Sequence, residues 1–214
     1  MQCIIITNDQ LKDELLSKGT RIDLQQLNDG WINILWLQDI SQLQEYKEAA
    51  IVIDLLFEKN HLTWLQSISS LVIINNVEYT LAETDTSFVR VNAWPSFLKS
   101  HVIEASCLDG QYKQKTEEVF SLFNKKIEWL PDEIGFVTPR IISMIVNEAF
   151  IALKEGVSSK EEIDTAMKLG TNYPYGPFEW AEKIGQKNLA SLLHQLSAKD
   201  QSYSPSSLLI QQIS

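Results

Sequence analysis

Few side chains in this chain can move a proton near neutral pH. There are three histidines, His61, His101 and His194, and two cysteines, Cys3 and Cys107. Imidazole is the one group whose ordinary pKa lies in that range. His61 and His194 fall in helical patterns without companions at metal-ligand spacing, so they read as solvated or hydrogen-bonded histidines. His101 lies close to Glu104, but an odd separation along a strand turns the two side chains to opposite faces. Asp54 and Glu58 end an apolar run. A carboxylate there can cap the next helix near Asn60, or face the crevice that open α/β sheets form at their strand carboxyl ends. Each cysteine sits in an apolar run and reads as a buried thiol, with no CxxC pair or disulfide framework. Trp94, Trp129 and Trp180 could line an apolar pocket, but indoles more commonly fill cores.

The elements that would position these residues change character along the chain. The first half alternates short apolar runs with helical patterns. Cys3–Thr7, Ile32–Leu37, Ile51–Leu56, Leu71–Ile74, Phe88–Ala93 and Val102–Ala105 read as strands, and Ile127–Leu130 as a last one. Gln10–Lys18, Ser41–Ala49, His61–Ser69 and Lys115–Asn124 read as helices. Such alternation predicts an α/β domain with a mostly parallel sheet covered on both faces. From Val137 onward the pattern is helical, and the first of these helices is apolar nearly all round. Ser159 and Glu162 form a capping box for the next helix, which is expected to stop at Gly170. Pro177 suits the first turn of another, which stops at Gly185. The expected boundary lies near Ile134-Gly135, giving domains 1–134 and 135–214.

Composition narrows the function classes. The hydrophobic share is 44% and there are six tryptophans, as in a globular core. The net charge of −10 argues against nucleic acid, whose phosphates need basic patches. Neither a signal-peptide pattern nor an apolar run long enough for a bilayer is visible. The expectation is a cytoplasmic protein that engages no membrane.

Several words of the second half occur in order over about fifty residues. They are Gly135-Phe136-Val137, Asn147-Glu148-Ala149, Glu155-Gly156, the run from Ser159 to Gly170, Tyr173-Pro174, Gly176-Pro177-Phe178-Glu179 and Ile184-Gly185. This set resembles the carboxyl-terminal domain of the 3-hydroxyacyl-CoA dehydrogenases. Those enzymes oxidise the 3-hydroxyl of an acyl-CoA with NAD, in fatty-acid oxidation or butanoate metabolism. The resemblance implies a reduced Rossmann-like domain followed by a helical domain that makes a homodimer and one wall of an acyl-CoA site.

The first half departs from the family's pattern where its chemistry lies. The family's GxGxxG loop lets backbone N–H groups approach a pyrophosphate at a helix amino terminus. Here Asn8-Asp9-Gln10-Leu11-Lys12-Asp13-Glu14 follows the first strand, with no glycine before Gly19. The family pairs a histidine base with a glutamate twelve residues later. Glu104 holds the glutamate position and Asn92 the histidine position, and a carboxamide does not take up a proton near neutral pH. Pro139 replaces a substrate-side asparagine, and Asn75-Asn76-Val77-Glu78 aligns only loosely with a serine-bearing segment. The resemblance therefore implies a degenerate homologue with no cofactor. It would bind acyl-CoA or another small ligand, or serve as a dimeric partner. The alternative is an active NAD-dependent enzyme with a rearranged site.

Overall fold

The computed structural model describes residues 1–20, 32–46, 48–84 and 87–213. They divide into two compact units, Met1–Glu133 and Ile134–Ser214. All seven segments expected as strands are strands, with ends moved by a residue or two. They are β1 (Gln2–Ile6), β2 (Asn33–Leu37), β3 (Ile51–Asp54), β4 (Leu71–Asn75), β5 (Val89–Val91), β6 (Val102–Cys107) and β7 (Lys126–Trp129). They form one sheet in the order β2-β1-β3-β4-β5-β6-β7. Every pair is parallel except β5 and β6.

The continuous apolar runs follow from burial on both faces. Side chains alternate across a strand. Cys3 and Ile5 accordingly join one core with Ile51, Ile53, Leu71 and Ile73, while Ile4 and Ile6 join another with Val52, Val72 and Ile74. Residues Cys3 to Ile6 are fully buried, and each such aliphatic side chain stabilises the fold by about 1.5–3 kcal/mol. Burial also pushes the Cys3 thiol up to about 12, so that sulfur is a packing group. Helices α1 (Asp9–Leu16) and α4 (Lys113–Ser121) lie on the first face through Leu11, Leu15, Val119 and Phe120. The second face carries α2 (Leu62–Leu65), α3 (Leu81–Thr84) and a 3-10 turn at Ile40–Tyr46 through Leu65, Leu81 and Leu43. The segment expected as the helix Ser41–Ala49 is that 3-10 turn, and Lys47 lies outside the described residues.

A buried cation ties the end of this unit to the sheet. Arg90 on β5 is fully buried. Its Nε donates to Asp132 Oδ1 at 2.5 Å and its Nη1 to the Asn76 carbonyl at 3.2 Å. Asp132 Oδ2 also accepts from the Leu81 N–H at 2.9 Å, at the start of α3.

The second unit is helical: α5 (Thr138–Lys154), α6 (Lys160–Thr171), α7 (Pro177–Ile184), α8 (Gln186–Ser197) and α9 (Ser207–Gln211). Gly135 has φ +83°, and a Cβ there would meet the Leu192 side chain at 3.0 Å. Ser159 and Glu162 form the expected capping box, and Pro177 opens α7. Gly170 does not close α6. The helix runs one residue further and Asn172, at φ 56°, takes the left-handed position, which asparagine tolerates better than most residues.

Candidate functional site

The chain runs from β1 to β2 on one side and returns to β3 on the other side of β1. That reversal marks the crevice where open α/β sheets bind ligands. Three groups of polar side chains stand along this carboxyl edge.

The first is the β1–α1 loop. Asn8 caps α1, its Oδ1 accepting from the Leu11 N–H at 2.9 Å. Asp9 adds a carboxylate to the first turn. The Lys12 ammonium lies 4.8 Å from the Trp36 ring centre. A cleft of about 330 Å³ is lined by Thr7, Asn8, Asp9, Lys12, Trp36 and Gln38. A dinucleotide would present its pyrophosphate to this helix terminus. One of the donors it would use already bonds to Asn8, a carboxylate stands in the first turn, and side chains rather than glycines fill the loop. The residues present do not fit a pyrophosphate.

The second group surrounds Asn92. β5 and β6 run antiparallel with Val91 opposite Ala105, which brings the next residue, Asn92, against Glu104. The Asn92 N–H donates to the Glu104 carbonyl at 2.9 Å, and its Nδ2 donates to Glu104 Oε2 at 3.1 Å. Asn92 is buried and Glu104 half-buried. The structure thus joins the two residues that sequence placed twelve apart. Asn75 braces the following loop. Its Nδ2 donates to the carbonyls of Leu55 at 3.1 Å and Ala93 at 3.3 Å, and its Oδ1 accepts from the Ala93 N–H at 3.0 Å. Further along, Ser96 adopts φ 80° and its N–H donates to the buried Glu14 carboxylate at 2.7 Å. His101 stands apart, its Nδ1 3.2 Å from the Asn124 carbonyl.

The third group was not legible as a pair in the sequence. Asp54, at the end of β3, does not cap a helix near Asn60. Its Oδ2 lies 2.6 Å from His61 Nδ1, and its Oδ1 accepts from the Leu56 N–H at 3.0 Å. Burial pushes the Asp54 carboxyl up from its ordinary range. The bond to Asp54 raises His61, against a smaller opposing effect of burial. The pair spans a strand end, a turn and a 3-10 turn at Lys59–His61. That path has no fixed side-chain period, so spacing alone could not reveal it. Glu58 precedes that turn without a side-chain capping bond.

The indoles divide as follows. Trp94 and Trp180 are buried, the latter with its ring edge-on to Tyr175 at 4.9 Å. Trp129 is half-buried, and its Nε1 donates to Glu117 at 2.6 Å. Pro139 occupies the first turn of α5, and Arg140 Nη2 donates to the Ile134 carbonyl at 2.6 Å.

In the helical unit the sequence words have structural tasks. Asp164 on α6 reaches the start of α7, accepting from the Phe178 N–H at 2.8 Å and the Glu179 N–H at 3.2 Å. A Cβ on Gly176 would lie 2.4 Å from that carboxylate, which explains the glycine. Glu179 accepts from the Gly176 N–H at 2.9 Å and pairs with Lys168 at 2.5 Å. Asn147 accepts from the Ser206 N–H at 2.7 Å and donates to the Ser204 carbonyl at 3.0 Å.

Residues 135–213 match the family model of the 3-hydroxyacyl-CoA dehydrogenase C-terminal domain. The chain is 43% identical over 89 residues to 3-hydroxyadipyl-CoA dehydrogenase of Escherichia coli, covering 41% of this chain and 19% of that protein. It is 31% identical over 125 residues to 3-hydroxybutyryl-CoA dehydrogenase of Bradyrhizobium diazoefficiens, covering 58% and 43%. These matches span less than half the length of either relative. The fold is similar to that of (S)-3-hydroxybutyryl-CoA dehydrogenase from Ralstonia eutropha. That likeness has a TM-score of 0.72 and 20% identity, and covers 99% of this chain and 93% of that one. The architecture is therefore a Rossmann-like sheet domain followed by a helical dehydrogenase domain. The chain belongs to the 3-hydroxyacyl-CoA dehydrogenase family. No helix among the described residues is long and apolar enough to cross a membrane.

Proposed function

We propose that this chain is a degenerate member of the family that does not carry out NAD-dependent oxidation of a 3-hydroxyacyl-CoA. It would serve instead as a dimeric binding protein for acyl-CoA or another small ligand. The observation that carries this reading is the Asn92–Glu104 bond. The dyad's geometry survives at 3.1 Å, but a carboxamide stands where a proton acceptor is needed. The self-capped terminus of α1 supports it, since a hydride acceptor has no evident pyrophosphate seat there. Apolar exposure on α5 and the turn before it supports a homodimer. Val137 and Ile141 are about half exposed, at 49% and 50%, with Met144 and Ile145 half-buried beside them. A second copy covering this stripe would remove that surface from water.

Incubation with acetoacetyl-CoA and NADH tests the reading directly. The expected result is no protein-dependent fall in NADH absorbance. Turnover that disappears on Glu104→Ala would establish instead an active enzyme with a rearranged site. Thermal shift with CoA esters tests binding, because a ligand held only by the native state raises apparent stability. Size-exclusion with light scattering tests the dimer, and a monomeric mass would remove it.

A further inference from the structure

The Asp54–His61 pair has the geometry of an oriented imidazole, and the family reaction makes no call on it. Asp54 is fully buried and its two oxygens are engaged by the Leu56 N–H and by His61. The ring edge of Phe57 fixes the imidazole from the side, with centroids 6.2 Å apart and planes at 86°. A carboxylate on Nδ1 fixes the tautomer, leaving the lone pair on Nε2. The His61 side chain keeps 13% exposure. The charges acting on the ring are Asp54, Glu58 and Asp39, and all are acidic. Asp39 follows Gln38, which lines the cleft beside β1 and β2. No group of three or more metal-ligating side chains forms among the described residues, so the ring is not one arm of a metal site.

We propose that His61 Nε2 is a nucleophilic acyl-transfer centre for small uncharged acyl esters, with Asp54 as its positioning residue. The surrounding carboxylates disfavour anionic ligands and raise the basicity of the nitrogen, which suits attack on a neutral carbonyl. In the first step the Nε2 lone pair bonds to the acyl carbon. The bond to the ester oxygen breaks and its electrons leave with the alcohol or phenol oxygen. The Nδ1 proton remains shared with Asp54 and stabilises the cationic ring. In the second step water adds to the acyl carbon, the N–C bond breaks, the carboxylic acid departs, and the remaining proton of the water passes through solvent to the departed alcohol or phenol oxygen. The sum is ester plus water giving acid plus alcohol, with no oxidant or reductant.

The probe is 4-nitrophenyl acetate, with nitrophenolate release followed by absorbance. His61→Gln is expected to lower the protein-dependent rate by tenfold or more. Asp54→Asn should lower the rate and also move the pH midpoint downward, since it removes the carboxylate that raises the imidazole. A rate carried by a group other than His61 would leave that midpoint in place. His61→Ala is a second variant at the same position and is expected to show the same loss. An unchanged rate in His61→Gln overturns the proposal. So does an unmoved midpoint in Asp54→Asn.

Discussion

The helical unit and the sheet's carboxyl edge have diverged from the family by different rules. In the helical unit, the residues that carry the resemblance satisfy buried backbone groups of neighbouring elements. Asp164 serves two N–H groups of α7, Gly176 makes room for it, and Asn147 brackets the chain before α9. Replacing Asp164 or Asn147 leaves a buried backbone group unpaired, which costs about 1–3 kcal/mol for each group. Along the sheet edge the departures from the family each find a local partner. Asn92 still engages Glu104, and Asn8 satisfies the helix it opens. Substitution along the edge is therefore expected to cost less in folding than substitution of the helical words. The family match over residues 135–213 thus coincides with residues that satisfy packing constraints.

Substitutions in the two regions should separate accordingly. Gly176→Ala is expected to have the largest effect, because its Cβ would overlap the Asp164 carboxylate at 2.4 Å. A loss of about 3 kcal/mol or more, read from urea unfolding, follows from overpacking together with a displaced cap. A loss below about 1 kcal/mol would break the contrast between the regions. Asp132→Ala should come close behind at about 3 kcal/mol, since it removes the carboxylate that pairs with the fully buried Arg90. Asn92→Ala should cost much less, about 1 kcal/mol, if the edge is as tolerant as its divergence implies.

The pH dependence offers a finer test, with two groups of opposite sign. Hydrogen bonding to Asp54 raises His61 in the folded state. The folded protein therefore holds that proton more tightly. The His61 contribution is complete below the ordinary imidazole value of about 6.5 and is lost as pH rises through the folded value. Burial pushes the Lys125 ammonium down to about 8, although it donates to the carbonyls of Leu98 and Ser100 at 2.5 and 3.0 Å. Here the unfolded state holds the proton more tightly, so stability rises between about 8 and the ordinary lysine value of about 10.4. Urea midpoints across pH for wild type, His61→Gln and Lys125→Met should show each slope vanish in its own variant. Slopes of the same sign would contradict the assignment.

Much of this architecture was legible because burial imposes periods. A strand covered on both faces reads as an unbroken aliphatic run, and all seven strands could be found from that pattern. The capping box at Ser159 and the proline opening α7 are equally local signals. The 3-10 turns at Ile40–Tyr46 and Lys59–His61 were not read as such, because tertiary packing decides between them and α-helix. The Asn92–Glu104 pair was visible through the family's spacing. Asp54–His61 was not, since it depends on how a turn folds back over a strand end. Gly170 misled because a glycine near a helix end suggests the cap, while Asn172 supplied it two residues later.

The Asp164 cap also has a consequence for how the chain acquires its structure. Helix α7 has eight residues, too short to persist alone in water. Two of its amino-terminal N–H groups are satisfied only when α6 is docked. The two helices should therefore form and open together as one cooperative unit. The amides of Phe178 and Glu179 would exchange with solvent at the rate at which α6 leaves, making them natural reporters of that event.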